Sequence, residues 1–310
     1  MRHAEAMNDN ALPASFDPIY FSAGSWDSRV AEWIDAAQTQ EFADGNEQAV
    51  RQAISDKDSG LVVVVNIGTR ALLSLLPDGR YLNLYERPAV GGKRKRQKPS
   101  KQRKEVDSAM GIKGPDVYFA ALALGGCGIR FYGEFCLVLK LDQIDPDPRM
   151  FDRDSYDILL PPFTDLPDRQ LLIQRLVGWW NADRYAMALM KVLPGLDHQH
   201  GLVTTGTVSE MVLKDQEYIE IHLHPARATD DKHAERSRGG FGRADIEELR
   251  ESPDEVAVAT RLRERSDDGL LLTDVEYEWL LRRECVTRTV AAAKIPARVV
   301  TQHGRGYQWK

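Results

Sequence analysis

The run Leu61–Ile67 constrains this chain more than any other segment. Six of its seven residues are apolar, four of them valines, and Asn66 alone is polar. β-branched side chains favour extended backbone. A strand with no polar face has nothing to give to water, so it belongs inside a sheet covered on both sides. A second strand signal is of the opposite kind. Glu217–His224 alternates, and side chains on a strand point to opposite faces in turn. Ile219, Ile221 and Leu223 therefore share one face, and Tyr218, Glu220, His222 and His224 share the other. A face that carries one carboxylate and two imidazoles is either solvated or lines a site.

The rest of the pattern is mixed and indicates an α+β protein. Residues 28–56 are helical in spacing, with Val30, Trp33 and Ile34 followed by Ala49, Val50 and Ile54. Residues 1–14 read as loosely attached. Ala71–Leu76 fits a short helix closed by the turn signal Pro77-Asp-Gly, and Tyr81–Glu86 fits a weak strand. Val117–Leu124 is apolar and either helical or extended, ended by Gly125-Gly-Cys-Gly. Arg130–Leu141 is a core strand, and the Asp- and Pro-rich stretch 142–157 is a loop. Residues 168–192 have a helical stripe that Asp183 interrupts, with Trp179 and Trp180 in the core. Val208–Leu213 pairs with the following strand through a tight turn. Past Pro225, a polar segment leads to three amphipathic helices at 245–250, 254–265 and 273–294. The expected division is an N-terminal helical segment (1–59), an α+β core (60–225) and a helical C-terminal extension (226–310).

Bulk properties narrow the classes. The hydrophobic content of 43% over 310 residues suffices for a full core. No apolar run approaches the roughly 20 residues of a membrane span, and the first residues lack a secretory apolar region. Three cysteines without a CxxC pair argue against a disulfide scaffold or a cysteine zinc site and fit the reducing cytoplasm. The net charge of −6 disfavours general attraction to nucleic acid, with one local exception. Lys93, Arg94, Lys95, Arg96, Lys98, Lys101, Arg103 and Lys104 crowd one segment, read as a solvated loop. Its functional reading is electrostatic capture of a nucleic acid or an acidic partner. It holds no aromatic residue for base stacking. Gly125-Gly-Cys-Gly128 lacks the spacing of a dinucleotide-binding fingerprint, so a dehydrogenase is disfavoured. Cys127 has no base partner in sequence and reads as inert. His222 and His224 place two imidazoles on one strand face and open an alternative, a metal-dependent hydrolase, to which His198, His200, Asp230, Asp231 and His233 are further candidates.

Three separated patches carry a resemblance. They are Val62–Arg70 with Gly79–Glu86 and Gly91-Gly92, then Arg130–Lys140 followed by Phe151-Asp-Arg-Asp-Ser155, then Glu217–His224. In this order they resemble an uncharacterised bacterial family related to ADP-ribosyltransferase toxins of the Arg/Ser/Glu type. The resemblance covers roughly residues 60–225. It implies a split, mixed or antiparallel sheet around an NAD cleft. It places Arg70 at the arginine position, Ser155 at the serine position and Glu220 at the glutamate position, with Glu217 as a second acidic residue. The serine segment here lacks the Thr and Gly of the family's usual run. The implied activity is NAD-dependent transfer of ADP-ribose to a protein or nucleic-acid target, without a metal or a membrane, in a toxin or defence setting. The chemistry fits the residue types. An oxocarbenium-like transition state wants a carboxylate. The dinucleotide phosphates want a guanidinium, for which Arg70 stands. Nicotinamide wants a stacking partner, for which Tyr81, Tyr132 and Tyr218 stand. A third expectation, a non-enzymatic binding protein, rests on the basic run and the C-terminal helices.

Overall fold

The computed structural model describes residues 26–37, 46–55, 60–77, 79–83, 100–112, 117–161, 163–165, 173–196, 218–224 and 240–300. Among these residues eight strands form one sheet: β1 Leu61–Ile67, β2 Tyr118–Leu124, β3 Phe135–Leu139, β4 Arg149–Phe151, β5 Val177–Trp179, β6 Glu220–Leu223, β7 Ile246–Glu251 and β8 Ala297–Val299. Their order across the sheet is β5-β4-β6-β2-β1-β3-β7-β8. Every pair is antiparallel except β7 with β8, which makes the sheet mixed. The helices are α1 Trp26–Ala37, α2 Asn46–Ser55, α3 Thr69–Leu75, α4 Lys101–Met110, the single turn α5 Leu141–Ile144, α6 Trp180–Leu196, α7 Pro253–Asp267 and α8 Asp274–Ala292. The protein is α+β, and its strands run as one continuous sheet rather than a split pair.

β1 lies near the middle, as its composition requires. Val63, Val65 and Ile67 join the main core with alternate residues of β2, β3 and β6 and with Ile246 and Leu249 of β7. Trp26 and Val30 of α1, Val50 and Ile54 of α2, Leu72 and Leu75 of α3, Met187 and Val192 of α6, and Val286 and Val290 of α8 cover that face. Val64 points the other way, beside Ala121, Ala123, Cys136 and Val138. Further along this second face, Val106 and Met110 of α4 meet Phe151, Ile158 and Phe163. Both faces of β1 and β2 are therefore buried.

Several sequence expectations change. Of residues 245–250, expected as a helix, 246–250 lie in β7 and Asp245 ends a 3-10 turn. Ile246 and Leu249, spaced by three, both reach the main core because the register slips between Val138 and Leu139. Such a slip puts residues three apart on one face and imitates helical spacing. The C-terminal segment thus adds two strands to the sheet beside α7 and α8. Residues 142–157, read as loop, contain β4 and a 3-10 turn, Ser155–Leu159. Residues 177–179 pair with β4 as a strand, so the long helix begins only at Trp180. Trp179, at the strand's end, is 52% exposed rather than core. Asp183 does not interrupt α6. Its carboxylate accepts the Trp179 amide at 2.8 Å and satisfies a donor at the helix start. Tyr81–Asn83 form no strand, and Val208–Leu213 lies outside the described residues. No helix among the described residues is long and apolar enough to cross a membrane.

Candidate active site

β6 brings its polar face under α4 and the turn that follows β4. Glu220 is 4% exposed and His222 fully buried, so this face is not solvated. Phe151 pairs with Glu220 across β4 and β6, which carries residues 152–155 over the glutamate. Asp154 then caps the 3-10 turn, its carboxylate accepting the Tyr156 amide at 2.9 Å. That cap aims the Ser155 amide at Glu220 Oε2, 3.2 Å away. The other carboxylate oxygen, Oε1, stands 2.7 Å from His222 Nε2. An ionised carboxylate can only accept, so Nε2 carries the proton of that bond.

α4 contributes the guanidinium. Its N-cap, Ser100, accepts the Arg103 amide at 3.0 Å. Arg103, Val106, Asp107 and Met110 are its buried residues, a stripe at helical spacing. Arg103 donates through Nη1 to Ser155 Oγ at 3.1 Å and through Nε to Asp107 Oδ1 at 2.7 Å. Its guanidinium lies 4.2 Å from the centroid of the Phe119 ring and 5.3 Å from that of Tyr156. Phe119 in turn meets His222 edge to face at 5.4 Å.

The mouth comes from the loop after β2. Asn66, at the end of β1, donates to Cys127 O and Gly133 O and accepts the Ile129 amide at 2.7 Å. The only polar residue of the apolar run therefore organises the loop 127–133. Gly128, at φ +64°, packs so tightly on Asn66 that a Cβ there would fall within 3 Å of its Oδ1. The loop ends in the 3-10 turn Arg130–Tyr132, which leaves Phe131 and Tyr132 more than half exposed. Tyr132 Oη contacts Asp154 Oδ2 at 3.3 Å and Tyr218 Oη at 3.2 Å. Tyr218 donates to Glu220 Oε2 at 3.4 Å.

Electrostatics separate the two carboxyls. Burial pushes Glu220 upward. The His222 hydrogen bond and charge, Arg103 and the Ser155 bond outweigh it and hold Glu220 below the ordinary value. Asp154 is raised, first by burial and then by the charge of Glu220. Burial and the neighbouring carboxylates raise Tyr132 to about 12, and Tyr218 is raised in the same way. Both phenols stay protonated near neutrality. The site pairs one ionised, hydrogen-bonded carboxylate with a second carboxyl at an aromatic mouth, an arrangement suited to acid–base and cation-stabilising chemistry.

The structure brings together Glu220, Ser155, Tyr132 and Tyr218 of the expected residues. Arg70 lies exposed in the first turn of α3, the helix whose Leu72 and Leu75 pack on the opposite face. Tyr81 stacks on Phe241 at 4.6 Å beside Tyr118, also across the sheet. Glu217 and the basic residues Lys93, Arg94, Lys95, Arg96 and Lys98 lie outside the described residues, as do His198, His200, Asp230, Asp231 and His233. Lys101 and Lys104 are exposed on α4, while Arg103, read as part of a solvated run, is buried in the site. His224 is exposed past the end of β6, and its amide bonds Asp145. Among the described residues no group of three or more His, Cys, Asp or Glu is placed to hold a metal. Asp154, Asp107 and the role of Arg103 were missed in the sequence. Their signals were an Asp-Ser turn start and the buried stripe of α4. A cavity of about 240 Å³ between α1, α2 and α6 is lined by Val30, Ile54 and Leu189, core residues of the opposite face.

Compared with known proteins, the chain matches no family model, no curated protein and no solved structure.

Proposed function

We propose that this site cleaves the nicotinamide–ribose bond of NAD and transfers ADP-ribose to a macromolecular acceptor. The observation that carries the reading is the contact between Ser155 and Glu220, two residues 65 apart in sequence joined at 3.2 Å in a buried, ionised setting. Glu220 is the carboxylate that stabilises the oxocarbenium-like ribosyl cation. Ser155 and His222 hold its two oxygens in place. Arg103 fixes Ser155, and we assign it the arginine position of the Arg/Ser/Glu pattern in place of Arg70. Because Arg103 is engaged by Asp107, its part is to orient the serine turn. Phe131, Tyr132 and Tyr156 offer the rings against which a nicotinamide stacks. A serine after β4 and a glutamate on the adjacent β6 are what supports the finer fold reading, an ADP-ribosyltransferase-like core. The acceptor is a protein or nucleic acid, and the setting is that of a bacterial toxin or defence protein.

The test is nicotinamide release from NAD by the purified protein. Glu220→Gln is expected to lower the rate by about 10²–10³-fold, the loss typical for a charge-stabilising group. NAD is expected to raise the melting temperature, since a ligand at about 100 times its Kd stabilises by about 2.7 kcal/mol. A Glu220→Gln protein that consumes NAD as fast as wild type would sink the assignment.

A further inference from the structure

Two carboxyls and two phenols stand in one line from the mouth to the buried strand. Asp154 Oδ2 meets Tyr132 Oη at 3.3 Å, Tyr132 Oη meets Tyr218 Oη at 3.2 Å, and Tyr218 Oη meets Glu220 Oε2 at 3.4 Å. Each of these three contacts needs one proton. The phenols supply two. With both carboxyls ionised, Tyr218 donates to Glu220 and Tyr132 to Asp154, which leaves the two phenol oxygens facing each other with no proton between them. A fully bonded line therefore takes its third proton from a carboxyl. Glu220 has no place for it. Its Oε2 accepts from both Ser155 and Tyr218, and the His222 bond to Oε1, with Arg103, holds the carboxyl below its ordinary value and ionised.

We infer that Asp154 is the acid–base residue of this site, holding the one proton that links it to Glu220 through the hydroxyls of Tyr132 and Tyr218. With its proton, Asp154 donates to Tyr132, which donates to Tyr218, which donates to Glu220. Without it, Asp154 is a free base beside the exposed rings. The groups that face it fit this role. Tyr132 from the loop after β2 and the Tyr156 amide from its own turn bond it. Burial and the charge of Glu220 from β6 favour its protonated form, while the Tyr156 amide, the Tyr132 hydroxyl and Arg103 from α4 oppose it; Asp157 of the same turn faces it with its own carboxyl raised to about 6, and Tyr218 is neutral. A base is most effective when its pKa approaches the working pH, and the raised value of Asp154 moves it that way.

The reaction itself rests on the reading above, whereas the proton count rests on the hydrogen bonds and the ionised state of Glu220. In the transfer step, the acceptor lone pair closes on ribose C1′ as the C1′–N bond breaks. That bonding pair leaves with nicotinamide, which departs uncharged. The acceptor's proton passes to ionised Asp154 and from there to solvent. Asp154→Asn is the informative variant, because Asn keeps the cap on the Tyr156 amide.

Nicotinamide release is measured against pH for wild type and Asp154→Asn, with and without azide, an anionic nucleophile that needs no base. In parallel, the Asp154 carboxyl is titrated by carbon NMR in wild type and in Glu220→Gln. The expected result is a wild-type rate that rises with pH through one ionisation. Asp154→Asn should be at least about 10²-fold slower without that limb, and azide should restore it. The Asp154 resonance should titrate above the ordinary aspartate value of about 3.9 and move down in Glu220→Gln. An Asp154→Asn protein that keeps the wild-type rate and limb, or that azide does not rescue, overturns the inference and leaves the NAD reading standing. If wild type does not cleave NAD, the NAD reading fails. The NMR titration then decides alone, with an ordinary Asp154 value indifferent to Glu220→Gln overturning the inference.

Discussion

Asp154 and Glu220 lie within one hydrogen-bonded chain yet respond to pH with opposite sign. The folded-state pKa of Asp154 is raised by burial and by Glu220. Its contribution is fully present below the unfolded value, about 3.9, and is lost as pH rises through the folded one. Asp154→Asn should therefore melt at a higher temperature than wild type near pH 7, with the gain vanishing as pH falls toward 4. Glu220 is held below its ordinary value, so its contribution is present above about 4.3 and disappears on acidification. Thermal melts of wild type and Asp154→Asn across this range check the first sign. A constant difference at all pH values would show that Asp154 carries no raised pKa. Carboxyls held against their own preference are frequent at catalytic sites.

At the scale of elements, α4 depends on a buried pair. Arg103 and Asp107 side chains are 4% and 8% exposed, and their ion pair measures 2.5 Å. Removing one partner of a buried pair strands the other and costs about 3–5 kcal/mol, while replacing both by apolar residues is often neutral. Arg103→Met should thus lose about that much in denaturant unfolding, and Arg103→Met with Asp107→Leu should recover most of it. The turn at Gly133 is equally demanding. A Cβ there would fall within 3 Å of the Ile67 and Gly68 backbone, where no flexible side chain can yield. Gly133→Ala should cost about 1–3 kcal/mol and shift the adjoining Tyr132. α8 opens on a capping box in which Thr273 and Glu276 exchange bonds. Thr273→Ala should cost about 1 kcal/mol in the same experiment.

Over the whole molecule, a charged network ties the C-terminal helices to the site's loop. Arg283 of α8 bonds Glu255 of α7 at 2.9 Å and also Glu251 of β7. Glu255 receives Arg130 as well, at 3.3 Å, two residues before Tyr132. Burial keeps the Glu255 pKa raised despite both arginines, so losing either leaves an expensive carboxyl. Arg283→Leu should lower stability by about 3–5 kcal/mol. It should also slow nicotinamide release without contacting the site, because Arg130 and Tyr132 share one turn. Unfolding midpoints and turnover measured on the same protein test both effects.

The sequence by itself determined the α+β class, the buried central strand Leu61–Ile67, α7 and α8, and the two-faced character of Glu217–His224. These follow from the hydrophobic pattern, which is local. The resemblance of its patches also named Glu220 and Ser155, and Tyr132 and Tyr218 stood among the candidate stacking rings, and these four meet in the structure. Only the tertiary structure decided which partners they meet. Arg103 reads as one more cation in a basic run until α4 is seen to turn that position inward. Asp154 is one of many aspartates until its cap places it against Tyr132. β7 passes for a helix until its register slip against β3 is known. Register, caps and buried ion pairs arise between segments far apart in the chain. No local spacing encodes them, and they determine the site's geometry here.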